Sequence, residues 1–173
     1  MDKVAGYASA VLDVARAEGV ADRVSDELFR FARAVESNDE LGRTLGDATL
    51  PAERRQAVVE DLLGSRAHPV TTSLVSFLVG SGRGRDLPAI VDSVVRQAAA
   101  SQDKEVAEVR SAIALDADVS QRLAAALSAN LGKQVEVKVI VDPAVMGGVA
   151  VRVGDTVIDG TIRHRLDQLR EVL

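Results

Sequence analysis

The sequence predicts a mainly α protein with a small α+β unit at its C-terminal end. The expected architecture is a six-helix antiparallel bundle over residues 1–102, then a domain of about four strands and two helices over 103–173. Three observations point there. The first hundred residues repeat apolar side chains at three- and four-residue steps, the helical period. Beyond residue 103 the period shortens to two, then returns. Aromatic residues are only 2% of the 173, so the core must be built of Ala, Val and Leu, which suits closely packed helices better than an aromatic-anchored sandwich.

Element by element, Val4, Tyr7, Ala8, Val11, Leu12 and Ala15 mark a first helix that Gly19 stops. Val20, Val24, Leu28, Phe31 and Val35 continue the pattern to the Ser37-Asn38 break, and a short helix follows from Asp39 to Leu45. Pro51 reads as the first-turn proline of a fourth helix ending at Gly64, with Ala57, Val58, Leu62 and Leu63 as its apolar positions. Pro69 opens a fifth, with Val70, Leu74, Phe77 and Leu78 on one side. The GSGRGRD stretch reads as a flexible interhelical loop. Leu87, Ile90, Val91, Val94, Val95 and Ala98 then mark the sixth helix. Short connections between such segments imply an antiparallel bundle.

Past the polar Ser101-Gln102-Asp103, Lys104 to Ile113 reads as a strand with Ala107, Val109 and Ser111 on one face. Val119, Leu123, Leu127 and Leu131 restore helical spacing, capped by Asp116 or Asp118 and closed by Gly132. Gln134 to Val141 alternates, with Val135, Val137, Val139 and Val141 set against Glu136, Lys138 and Ile140.

Composition excludes several functions. A net charge of −5 argues against a general nucleic-acid backbone binder, and scarce aromatics remove stacking platforms. With no cysteine, disulfides, zinc–thiolate sites and cysteine nucleophiles are ruled out. No apolar run approaches the length of a membrane span, and the N-terminal stretch is amphipathic with acidic residues inside it. The expectation is a soluble, cytosolic chain able to dock on a membrane complex.

The segment MGGVAVRVGDTVIDGTIRHRL invites a phosphate-binding reading. It fails that test, because it matches neither the dinucleotide fingerprint nor the P-loop pattern. Its local physics instead describes a hairpin. Gly148 to Val153 and Thr156 to Asp159 are rich in β-branched residues and lie two residues apart, with Gly154-Asp155 as the turn. Gly147 and Gly148 lead into the first strand. Gly160 ends the second, and Thr161 or Asp159 caps a last helix with Ile162, Leu166, Leu169 and Val172 or Leu173 as its stripe.

Acid–base work by Asp155 and Asp159 fits less well than turn chemistry. His164 lacks a second histidine nearby and has cationic neighbours, so no metal site is expected there. Arg152, Arg163, His164 and Arg165 read as a solvated face with a partner-binding alternative. Arg83 and Arg85 read as loop residues with RNA contact as the alternative. No catalytic residue, cofactor or metal is expected.

The same C-terminal string carries a family resemblance. Val141-Asp142-Pro143, Met146-Gly147-Gly148, Arg152-Val153-Gly154-Asp155, Val157-Ile158-Asp159-Gly160-Thr161 and Arg165-Leu166 closely resemble the signature of the F-type ATP synthase δ subunit family, which includes the mitochondrial oligomycin-sensitivity-conferring protein. Tyr7-Ala8-Ser9-Ala10-Val11 is similar to that family's first-helix motif. Departures are few. Thr161 stands where serine is commoner, and Gly6 where a basic residue is usual.

The resemblance implies a non-catalytic peripheral-stalk subunit, linking the catalytic head to the stator so that rotor torque drives ATP synthesis. It implies a groove for the N-terminal helices of α subunits, between the first and fifth helices: Tyr7, Ala10, Val11 and Val14 facing Leu74, Phe77 and Leu78. It implies docking of the b subunits' C-terminal helices on the second domain, through Val157, Ile162, Arg163, Leu166 and Leu169. A single copy per complex is implied, monomeric when isolated, on the cytoplasmic face of a bacterial membrane without inserting into it and without binding nucleic acid. An RNA-binding helical regulatory module is the alternative, disfavoured by the acidic charge and the scarce aromatics.

Overall fold

Helix stops divide the first part of the chain. In the computed structural model, which describes residues 3–145 and 147–160, α1 (Lys3–Ala17) is followed by Gly19 at φ 69°, a left-handed turn that suits glycine. α2 (Ala21–Ser37) runs to Asn38, whose side chain accepts the Leu41 N–H at 3.1 Å and so begins α3 (Asp39–Gly46). α4 (Ala52–Leu63) starts one residue after Pro51, which holds the cap position rather than the first turn. α5 (Pro69–Gly80) does carry its proline in the first turn, and α6 (Leu87–Ala100) closes the series.

The chain divides into two units, Met1–Ala98 and Ala99–Leu173, in the last turn of α6. In the first unit α2 lies against α1, α3 and α5, and α4 packs along α5. Val24, Leu28, Leu45, Val59, Val75, Leu78, Leu87 and Ile90 are fully buried. Each such side chain contributes about 1.5–3 kcal/mol by leaving water.

Three local expectations need correction here. α4 turns Arg55 and Val59 to the core, leaving Ala57 and Leu62 exposed. Arg55 donates to the Val79 carbonyl oxygen at 2.9 Å and so satisfies the C-terminal end of α5, which puts Ala57 on the opposite, solvent side. Leu62 shares the Arg55–Val59 stripe and is exposed at the helix end. On α5, Phe77 does not share the buried side with Leu74 and Leu78 but points outward. The GSGRGRD loop is not free. Gly84 is buried, and a Cβ there would stand 1.9 Å from the Leu45 carbonyl oxygen, while Arg85 Nε donates to the Gly46 carbonyl oxygen at 3.0 Å.

The second unit holds β1 (Lys104–Ser111), α7 (Ala117–Leu131), β2 (Gln134–Val141), β3 (Val149–Val153) and β4 (Thr156–Asp159). Sheet order is β2-β1-β3-β4. β1 and β2 are parallel, joined by the α7 crossover that a parallel pair requires, and the other pairs are antiparallel. Asp116 caps α7 by accepting the Val119 N–H at 2.8 Å, and Gly132 ends it at φ 66°. Ala107, Val109, Leu127, Val135, Val151 and Val153 form the core between sheet and helix. Among the described residues the chain is mainly helical with this small α+β part.

Candidate functional site

On α1, the core side holds Ala8, Val11, Leu12 and Ala15. Tyr7, Ala10 and Val14 follow a three- and four-residue spacing on a neighbouring stripe that reaches the surface. Tyr7 is half-buried, Ala10 is exposed, and Val14 is 46% exposed. On α5, Phe77 is 54% exposed, a large apolar side chain in water. The other residues expected in the groove lie deeper. Val11 and Leu78 are buried at 2% and 0% exposure, and Leu74 is buried too. They belong to the buried core of the first unit.

Arg83, just beyond α5, joins these elements. Its guanidinium lies over the Tyr7 ring at 5.2 Å from the centroid, and it pairs with Asp86 at 3.3 Å. The hydrogen bond with Tyr7, then that with Asp86, raises the Arg83 pKa above its ordinary value. The contact sets the start of α1 beside the C-terminal end of α5. Arg83 and Arg85 thus both make contacts within the protein.

A second polar junction supports α5 from below. Glu27 of α2 is 7% exposed, and its carboxylate accepts from the Thr71 hydroxyl at 2.6 Å, the His68 backbone N–H at 2.8 Å and Arg23 Nε at 2.9 Å. Burial opposes its charge, but hydrogen bonds from Thr71, His68 and Arg23 outweigh it and hold its carboxyl below the ordinary glutamate value. The site is the N-terminus of α5, where the helix dipole favours an anion. His68 completes the cap, its Nδ1 accepting the Val70 N–H at 3.3 Å. Sequence spacing gives no sign of this junction, since Glu27 and Thr71 are 44 residues apart.

In the second unit Gly154 takes the first turn position at φ 56°, with Val153 paired to Thr156 across it. Gly147 and Gly148 stand at φ 62° and 81° before β3. Gly160 donates its N–H to the Val149 carbonyl oxygen at 3.0 Å. Asp155 and Asp159 are exposed at the hairpin, and Val157 is exposed on β4. Thr161, Ile162, Arg163, His164, Arg165, Leu166 and Leu169 lie outside the described residues.

The sheet face away from α7 carries a row that the sequence reading missed: Lys138, Glu108 and Arg152 stand in register on three adjacent strands, with Val157 next. Arg152 pairs with Glu108 at 3.6 Å, and Lys138 pairs with Glu136. Opposite charges set across strands stabilise the pairing. Among the described residues no group of three or more His, Asp or Glu side chains is placed to hold a metal. No described helix is long and apolar enough to cross a membrane.

Comparison with known proteins follows that geometry. The model of the family described as ATP synthase delta (OSCP) subunit matches residues 4–173. The ATP synthase subunit delta of Parafrankia sp. (strain EAN1pec) is 43% identical over 164 residues, covering 95% of this chain and 59% of that protein. That of Streptomyces griseus is 44% identical over 92% of this chain and 59% of its own length. That of Nocardia farcinica is 43% identical over 95% of this chain and 61% of its own. The chain thus spans about three fifths of the length of these relatives. A chain in the cryo-EM structure of the Toxoplasma gondii mitochondrial ATP synthase hexamer shares the fold. Its TM-score is 0.60 at 21% identity, over 99% of this chain and 97% of that one.

Proposed function

The chain belongs to the ATP synthase delta (OSCP) subunit family, and from that premise we propose that it is a non-catalytic peripheral-stalk subunit of an F-type ATP synthase. The family match over residues 4–173, through both units, carries this reading. Its work is mechanical: torque on the central shaft drags the catalytic head, and synthesis requires the head to be held still.

We read the six helices as an antiparallel bundle that grips the N-terminal helices of α subunits. Tyr7, Ala10, Val14 and Phe77 offer the contact surface, and Val11, Leu74 and Leu78 form its floor. The exposure of Phe77 and Val14 supports this, because apolar anchors at helical spacing suit helix-in-groove binding. A buried aromatic anchor would dominate the affinity. The second unit engages the b subunits through Val157, with Ile162, Arg163, Leu166 and Leu169. The subunit sits as a single copy on the cytoplasmic face of the membrane, bound through its partners.

Pull-down of α and b subunits from a matching complex by the tagged chain tests the reading. Retention of both is expected, with no ATP hydrolysis by the chain alone. Retention of neither, or turnover by the chain, would contradict it.

A further inference from the structure

A second cleft lies in the first unit, and it shares no lining residue with the Tyr7–Phe77 surface. Phe31 and Ala34 of α2, Leu41 of α3, and Leu62 and Leu63 of α4 enclose about 330 Å³, with Arg30 and Arg66 at the rim. Leu62 shares the helix stripe of Arg55 and Val59 but sits at the C-terminal end of α4, where it is 36% exposed beside Leu63.

The rim charge says what fits. Arg30 and Arg66 are exposed, and neither takes part in an ion pair among the described residues. The one carboxylate in the lining, Glu27, is occupied by Arg23, Thr71 and the His68 N–H. In a chain of net charge −5, this apolar cleft is bordered by two exposed arginines that take no ion pair among the described residues. The α2 residues that line it, Glu27 to Ala34, cover about two helical turns.

We propose that this cleft receives an acidic amphipathic helix from a partner chain, seating apolar side chains over Phe31, Leu41 and Leu62 and placing carboxylates on Arg30 and Arg66. Apolar anchors supply the desolvated contact, and the arginines select sign and register. The cleft is thus a second docking point on the same unit, independent of the Phe77 surface.

A designed helical peptide of Leu and Glu, with a Leu–Lys twin of the same apolar pattern, tests it on the full chain by amide shift mapping and calorimetry. The acidic peptide is expected to move the amides of Leu41, Leu62, Leu63 and Arg66. Arg30→Glu with Arg66→Glu should weaken it by about tenfold or more, while the charge-keeping Arg30→Lys with Arg66→Lys retains it. Equal binding of the Lys twin would overturn the proposal, as would shifts centred on Tyr7, Ala10 and Val14, or indifference to the arginine reversals. Cleft shifts that grow with protein concentration alone would assign it to a second copy and overturn it too.

Discussion

The Arg83 guanidinium covers the Tyr7 ring at 5.2 Å from its centroid, tying the loop after α5 to the first helix. Tyr7 is the only tyrosine and there is no tryptophan, so the protein's emission reports on this one contact. Arg83→Ala should make Tyr7 more accessible to a soluble quencher while circular dichroism keeps its helical signature. Unchanged quenching would mean that the ring is held by something other than the cation.

Two glycines should respond in opposite directions to the same substitution. A Cβ at Gly84 meets the backbone oxygen of Leu45 at 1.9 Å, and backbone cannot turn aside as a side chain can. Gly84→Ala should cost about 1–3 kcal/mol or more, as overpacking does. Gly6 lies inside α1 with nothing within 4 Å of an added Cβ. Gly6→Ala should stabilise by about 0.5–1 kcal/mol through helix propensity. Urea unfolding of both variants checks the pair, and equal effects would refute the packing of the loop.

Glu27 gives a pH dependence with a definite sign. Its folded carboxyl titrates below its ordinary value because hydrogen bonds from Thr71, His68 and Arg23 outweigh the burial that opposes its charge. The stability it contributes is therefore complete above the unfolded value, about 4.3–4.5, and is lost as pH falls through the folded one. Glu27→Ala leaves the Thr71 hydroxyl and the His68 N–H without their acceptor, a loss of about 1–3 kcal/mol at neutral pH. Melts from pH 7 to pH 3 should show the gap between wild type and variant narrowing in acid. A gap that stays constant would contradict the assignment.

What the sequence conveyed depends on whether the deciding contact is local. The Asp116 cap, the Gly132 stop, the Gly154-Asp155 turn and the bounds of β2 are each set within a few residues and are legible. The valine alternation of β2 does not sort its burial, since Lys138 is buried and Val141 is 52% exposed. The face of α4 was not, because the buried Arg55 answers to Val79 of a different helix. α5 is apolar on several sides, so periodicity could not separate buried Leu78 from exposed Phe77. The Gly84 loop looked mobile in composition because its constraint is the Leu45 carbonyl, 39 positions away. The Lys138–Glu108–Arg152 row depends on strand register, which alternation within one strand does not reveal.

Calorimetric titration of the full chain with a peptide of an F-type ATP synthase α-subunit N-terminal helix tests the stalk reading most directly. Phe77 is 54% exposed, so Phe77→Asp should leave the fold intact by circular dichroism. Saturable binding to the wild type, weakened by about tenfold or more in Phe77→Asp, is the predicted result. An intact wild-type chain that gives no binding heat, or a Phe77→Asp variant that binds equally well, would contradict it.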